Sequence, residues 1–98
     1  MMALIEEVKN YLDITWITTE AENKKINSMI ERGKAAISGK IGDCSFDDDT
    51  QEKTLLFLHI MYERSGALNE FWSNYRGEIM SLRLRKRVMA YEAEKQQI

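Results

Sequence analysis

LLFLHIMY, residues Leu55 to Tyr62, is apolar on every side of a helical wheel except at His59. A helix that is apolar all round is buried between other elements, so this stretch predicts the centre of an all-α bundle. The composition points the same way. The chain has no proline and only 5 glycines in 98 residues, which favours long uninterrupted helices over a sheet with many turns. A chain of this length makes one domain, residues 1–98. Its 44% apolar and 31% charged residues are ordinary for a folded protein and unlike a disordered one.

Upstream of the buried stretch, Asp49 is the expected N-cap of its helix, with Glu52 three residues on in the capping-box position. Asp43 to Asp49 forms an acidic loop containing Phe46. Before the loop, Ile26, Met29, Ile30, Gly33, Ile37 and Ile41 make the apolar stripe of a second helix. Thr19 and Glu22 supply its T-x-x-E capping box, and Gly42 suits the position just past its end. Gly33 and Ala36 are small enough to let a neighbouring helix approach closely. Leu4, Ile5, Val8, Tyr11 and Leu12 form one face of a short first helix ending near Asp13. Ile14 to Thr18 reads as an extended connector, with Trp16 folded onto the core.

Downstream, Leu68, Phe71, Trp72, Tyr75, Ile79, Leu82 and Met89 share one broad helical face, expected to meet the core. Met80, Leu84, Val88 and Tyr91 form a second apolar stripe roughly opposite. Arg76, Arg83 and Arg87 run between the two. A small domain has little left to cover the second stripe, and an uncovered stripe marks an interaction surface. The expected architecture is therefore a bundle of three main helices, the last long and broken near Gly66 or Gly77, with residues 91–98 a frayed tail.

Catalytic and ligand-binding signatures are weak. The single histidine, His59, lies inside the buried run without the usual partner constellation. Cys44, the only cysteine, sits among carboxylates that raise a thiol pKa, so it reads as a passive thiol in a reducing compartment. An EF-hand begun at Asp43 would have Asp48 where glycine belongs and Thr54 where glutamate belongs. There is no glycine-rich phosphate loop, no CxxC and no HExxH. No enzyme activity, cofactor or metal is expected. No window approaches 18 consecutive apolar residues, and no basic segment followed by an apolar run opens the chain, so neither a membrane span nor a signal peptide is expected.

Charge is unevenly placed. Residues 1–49 carry 6 basic and 10 acidic side chains, net −4, and residues 50–98 carry 8 and 6, net +2. The densest positive run is RLRKR, Arg83 to Arg87. It has three readings: a solvated helix end favoured by the helix dipole, a clamp on DNA phosphates, or a charged seam that meets acidic residues of a neighbouring subunit. The charge asymmetry favours the third over the second.

Three blocks of the chain carry a family likeness. EEVKNYLDI (Glu6–Ile14), NKKINSMIERGKAAISGKIG (Asn23–Gly42) and the segment Leu55–Val88 follow one another in the order and spacing of three helical blocks. Together they resemble the head–tail connector (adaptor) proteins of long-tailed double-stranded DNA bacteriophages and related prophages. The first resembles the family's VK-x-YL opening, and the last its aromatic–x–x–x–Tyr stretch leading into alternating Leu. The likeness spans most of residues 4–88. It leaves out the acidic loop and the tail from Tyr91 to Ile98. It implies a small α-helical virion protein, made in the host cytoplasm and located at the head–tail junction. Such a protein assembles as a ring on the portal protein, a monomer in solution being compatible with this. The ring extends the DNA channel and docks head-closure or tail proteins, while DNA passes through the lumen unread. The residues expected at subunit or portal contacts are Arg76, Met80, Arg83, Leu84, Arg87, Val88 and Tyr91. The alternative is a small helical DNA-binding regulator that uses Arg83 to Arg87 on phosphates.

Overall fold

Local chemistry sets where the chain turns. In a computed structural model, which describes residues 3–42, 44–46 and 50–96, the described residues are all helical or connecting. The helices are α1 (Leu4–Tyr11), α2 (Glu20–Ile41), α3 (Gln51–Arg64), α4 (Leu68–Asn74) and α5 (Arg76–Gln96). The predicted bundle is present: α2, α3 and the α4–α5 pair are its main members, with α1 packed beside them.

The α1–α2 connection is a Schellman turn. The Asp13 amide donates to the Asn10 carbonyl at 3.2 Å and the Ile14 amide to the Lys9 carbonyl at 2.9 Å. Asp13 takes φ 59°, a left-handed position that short polar side chains tolerate better than most. The turn delivers Ile14, not Trp16, to the core: Ile14 is buried and Trp16 is 53% exposed. The expectation that Trp16 folds inward is therefore corrected. Its indole Nε1 instead donates to Glu22 Oε2 at 3.1 Å on the surface. Glu22 also closes the predicted capping box. Its amide donates to Thr19 Oγ1 at 3.1 Å and its Oε1 accepts from the Thr19 amide at 3.3 Å.

Helix α3 begins one residue later than expected. Asp49, the predicted cap, lies outside the described residues, as do Asp43, Asp47 and Asp48 of the acidic loop. Thr50 is the N-cap: its Oγ1 accepts from the Lys53 amide at 3.2 Å and donates to the Ser45 carbonyl at 2.7 Å. This shift takes Glu52 out of the box position. Its Oε2 accepts from the Ser45 amide at 3.4 Å and pairs with Lys86 Nζ on α5 at 3.3 Å.

The chain breaks at Gly66 as predicted. Gly66 has φ 72°, and a second Schellman pair ends α3, Gly66 amide to Glu63 carbonyl and Ala67 amide to Tyr62 carbonyl. Gly77 is not a break. It lies in the first turn of α5, and the bend is at Tyr75 (φ −109°, ψ 12°), with hydrogen bonds continuing on either side, Tyr75 amide to Phe71 and Ile79 amide to Tyr75. The Tyr75 ring packs on Phe71 and Tyr62, with centroids 5.4 and 6.0 Å away, so aromatic packing holds the bend.

The core runs through the middle of this assembly: Val8, Ile30, Ile37, Leu55, Leu56, Ile60 and Phe71 are almost wholly buried. The tightest approach is at Gly33. A Cβ there would stand 2.6 Å from Leu56 Cδ1 and 3.3 Å from His59 Nδ1, so only glycine lets α2 and α3 meet at this level. Ion pairs stitch the helices outside the core: Lys53 Nζ to Glu7 Oε1 at 2.8 Å joins α3 to α1, and Arg32 Nε to Glu63 Oε1 at 2.7 Å joins α2 to α3. The described residues extend 53 × 32 × 17 Å.

Candidate interaction surface

Helix α5 has 21 residues, about 31 Å at 1.5 Å per residue. Its first half is anchored: Ile79 and Leu82 are buried in the core. Lys86, tied to Glu52, is half-buried, and from Arg87 through Glu94 every residue is exposed. The second half of α5 therefore presents its side chains to solvent, with Arg87, Met89 and Ala90 edging a groove against the end of α2.

The predicted second stripe lies on this helix and faces outward. Met80, Leu84, Val88 and Tyr91 are exposed, from 48% at Val88 to 63% at Leu84 and Tyr91. Arg76, Arg83 and Arg87 are exposed beside them. All seven predicted residues thus lie along one helix. Met80, Arg83, Leu84 and Arg87, with Ser81, line one shallow depression. Met89 departs from expectation: assigned to the core face, it is 61% exposed. The C-terminal end of α2 stands beside it and covers it only in part. Met89 lines an open groove between the C-terminal end of α2 and α5, together with Lys40, Arg83, Lys86 and Arg87.

The basic run divides by role. Lys86 is a structural cation bound to Glu52. Among the described residues, Arg83, Arg85 and Arg87 make no salt bridge and stand in solvent. A further small pocket joins Lys40, Trp72, Arg76 and Arg83 to the stripe, with Lys40 Nζ 5.9 Å from the centre of the Trp72 ring. Neither Lys40 nor Trp72 is among the expected contact residues, Trp72 being assigned to the core face. Their contribution comes from the packing of α2 against α4 and α5, which no local pattern encodes. Chemically, the surface offers apolar area edged by arginines, suited to association with a protein face that carries carboxylates, or with phosphates.

A second exposed apolar feature sits at the other end of α2. Ile17 is 98% exposed beside the half-exposed Trp16. The Trp16 indole, first, and the Thr19 amide hold the Glu22 carboxyl below its ordinary pKa, so the residue that fixes Trp16 stays charged.

His59 is buried, with its ring edge-on to Phe71 and Trp72 at 5.3 and 5.7 Å. Among the described residues, its Nδ1 and the Glu63 Oε2 are buried without hydrogen-bond partners. Burial pushes the imidazole pKa below its ordinary value, and Arg32 adds to this while Glu63 opposes it. The Cys44 thiol lies 3.2 Å from the Gly42 carbonyl. Among the described residues no cluster of His, Cys, Asp and Glu is disposed to hold a metal ion, and no helix is long and apolar enough to cross a membrane.

Comparison with protein-family models, with curated proteins and with solved structures finds no match to this chain. The functional reading therefore rests on the residues and the surface they form.

Proposed function

We propose that this protein is a structural head-completion subunit of the head–tail connector kind. It assembles as a ring on the portal protein at the vertex of a filled capsid, extends the DNA channel, and offers a docking surface to head-closure or tail proteins. It works in the virion at the head–tail junction after synthesis in the host cytoplasm. The observation that carries this reading is the outward stripe Met80–Leu84–Val88–Tyr91 with its arginine edge, on a helix held to the body by Ile79, Leu82 and Lys86. Apolar area of this kind, left uncovered by its own domain, is what protein association buries. The order of the three helical blocks in the sequence supports the same reading.

The mechanism is association, driven by burial of the stripe and oriented by charge, with no turnover. DNA in the lumen would meet arginines only through its phosphates, without sequence being read. Lys86 already serves Glu52, which leaves Arg83, Arg85 and Arg87 as the exposed cations of the run.

Sedimentation and light scattering of the chain, alone and mixed with a portal protein from the same genome, test the reading. The expected result is self-association at high concentration or a complex on the portal. A strict monomer that ignores the portal would contradict it. Monomeric binding to duplex DNA that weakens steeply with salt would favour the DNA-binding regulator instead. Genes for portal, capsid and tail proteins are expected beside this one.

A further inference from the structure

We propose that the face where the C-terminal end of α2 meets α5 holds the phosphate backbone of duplex DNA, through Lys40, Arg76, Arg83 and Arg87. The contact is read from a single chain, and its place in the lumen of a channel rests on the ring reading above.

The face is built by the fold and not by the basic run alone. Two adjoining depressions share Met80 and Arg83. One takes in Lys40, Trp72 and Arg76, the other Leu84 and Arg87. Among the described residues no carboxylate lines either of them. Lys40 arrives from α2, its Nζ 5.9 Å from the centre of the Trp72 ring. Lys40, Arg76, Arg83 and Arg87 are all exposed, and among the described residues none of them makes a salt bridge.

Charge on α5 is sorted by side. At about 100° per residue, Arg76, Arg83 and Arg87 fall within about 40° of one another, whereas Glu78, Arg85 and Glu92 lie within about 20° of the opposite side. The run RLRKR is continuous in sequence, but the helix sends Arg85 to a mixed face and the other arginines to a purely basic one. From Arg76 to Arg87 the basic row rises about 16 Å, and Glu94 comes back to that side only some 10 Å further on.

A row of this length with one sign of charge suits a partner with unbroken charge of the other sign. Duplex DNA presents one negative charge per about 1.7 Å of its axis. Protein interfaces, by contrast, are depleted of lysine, and here the fold adds a lysine to the arginines. The apolar stripe Met80–Leu84–Val88–Tyr91 is centred about 75° round the helix from the row. DNA on the row therefore leaves most of the stripe open to a protein, and one helix can serve both.

The test is fluorescence anisotropy of short labelled DNA duplexes of unrelated sequence, titrated with the full chain from low to physiological salt. Wild type is compared with Lys40→Ala, Arg83→Ala and Arg85→Ala, all at exposed positions, with circular dichroism confirming that each variant folds. The expected result is binding indifferent to sequence, with log affinity falling against log salt at a slope of about −3 to −4, as four phosphate contacts give. Lys40→Ala and Arg83→Ala should each weaken binding and reduce that slope by about 1, while Arg85→Ala leaves it unchanged. No binding at low salt, an indifferent Lys40→Ala, or an Arg85→Ala as costly as Arg83→Ala would overturn the proposal. So would displacement of the duplex by polyglutamate as readily as by unlabelled duplex of equal charge, which would assign the face to an acidic protein. Any of these results from a chain that still assembles on the portal leaves the ring reading standing. The expected DNA binding from a chain that never assembles keeps the contact and removes the ring.

Discussion

Lys86 Nζ lies 3.3 Å from Glu52 Oε2, so one member of the basic run is a strut between α5 and the start of α3. The Glu52 side chain is only 9% exposed and also accepts from the Ser45 amide. The strut fixes the point at which α5 leaves the body, and with it the direction of the exposed stripe.

Removing the carboxylate should therefore be costly. Glu52→Ala strands the Ser45 amide and takes a carboxylate away from a partly covered ammonium, for a loss of about 1–3 kcal/mol. Lys86→Ala should cost less, since the lysine reaches solvent and screening discounts its charge. Urea unfolding at constant m-value measures both. Equal and negligible effects would show that the strut contributes nothing.

Gly33 and Gly77 should respond in opposite directions to the same substitution. Gly33→Ala forces a methyl to within 2.6 Å of the buried Leu56, and overpacking of about 1–3 kcal/mol outweighs a helix-propensity gain of about 1 kcal/mol. Nothing lies within 4 Å of a Cβ at Gly77. Gly77→Ala should accordingly stabilise α5 by roughly 0.5–1 kcal/mol. Thermal unfolding of the two variants checks the contrast.

Stability should fall in mild acid because of His59. Burial depresses its folded-state pKa below the ordinary 6.5. Above 6.5 the imidazole is neutral in both states, and protonation costs the fold nothing. As pH drops below 6.5 the unfolded chain takes up a proton that the folded one resists, so stability declines until the folded pKa is passed, by at most about 1.4 kcal/mol per pH unit. His59→Leu should remove this component of the slope between unfolding curves at pH 7 and pH 5. An unchanged slope would contradict it.

The exposed stripe should be separable from stability. Leu84→Ser and Val88→Ser touch no core residue, so unfolding should shift by no more than about 0.5 kcal/mol. Assembly should weaken in both variants, as read by light scattering. If unfolding shifts strongly instead, the stripe belongs to the fold.

Much of the architecture was legible because it is written locally. The Thr19–Glu22 box, the Gly66 break, the small residue at Gly33 and the all-round burial of Leu55 to Tyr62 each follow from spacing and residue type. So does the division of α5 into two stripes, since a helical wheel needs no knowledge of neighbours. The misplacements were tertiary. Met89 falls on the core side of the wheel, but a wheel does not say where the opposing helices end. The connector's pattern puts Trp16 on the core, whereas the turn at Asp13 hands that place to Ile14. The Lys86–Glu52 strut spans 34 residues of sequence, and no spacing rule anticipates it. The candidate surface was found where a pattern repeats along one helix, and missed at Lys40 and Trp72, where separate helices contribute.

The central claim is that the outward face of α5 is an assembly surface for a ring on a portal. Sedimentation velocity of the portal protein with wild-type chain and with Leu84→Ser tests it most directly. The account predicts that the portal species becomes heavier by a ring of wild-type subunits and that Leu84→Ser diminishes this gain while the variant stays folded. A portal boundary unchanged by the wild-type chain, or a gain in mass indifferent to Leu84→Ser, would contradict it.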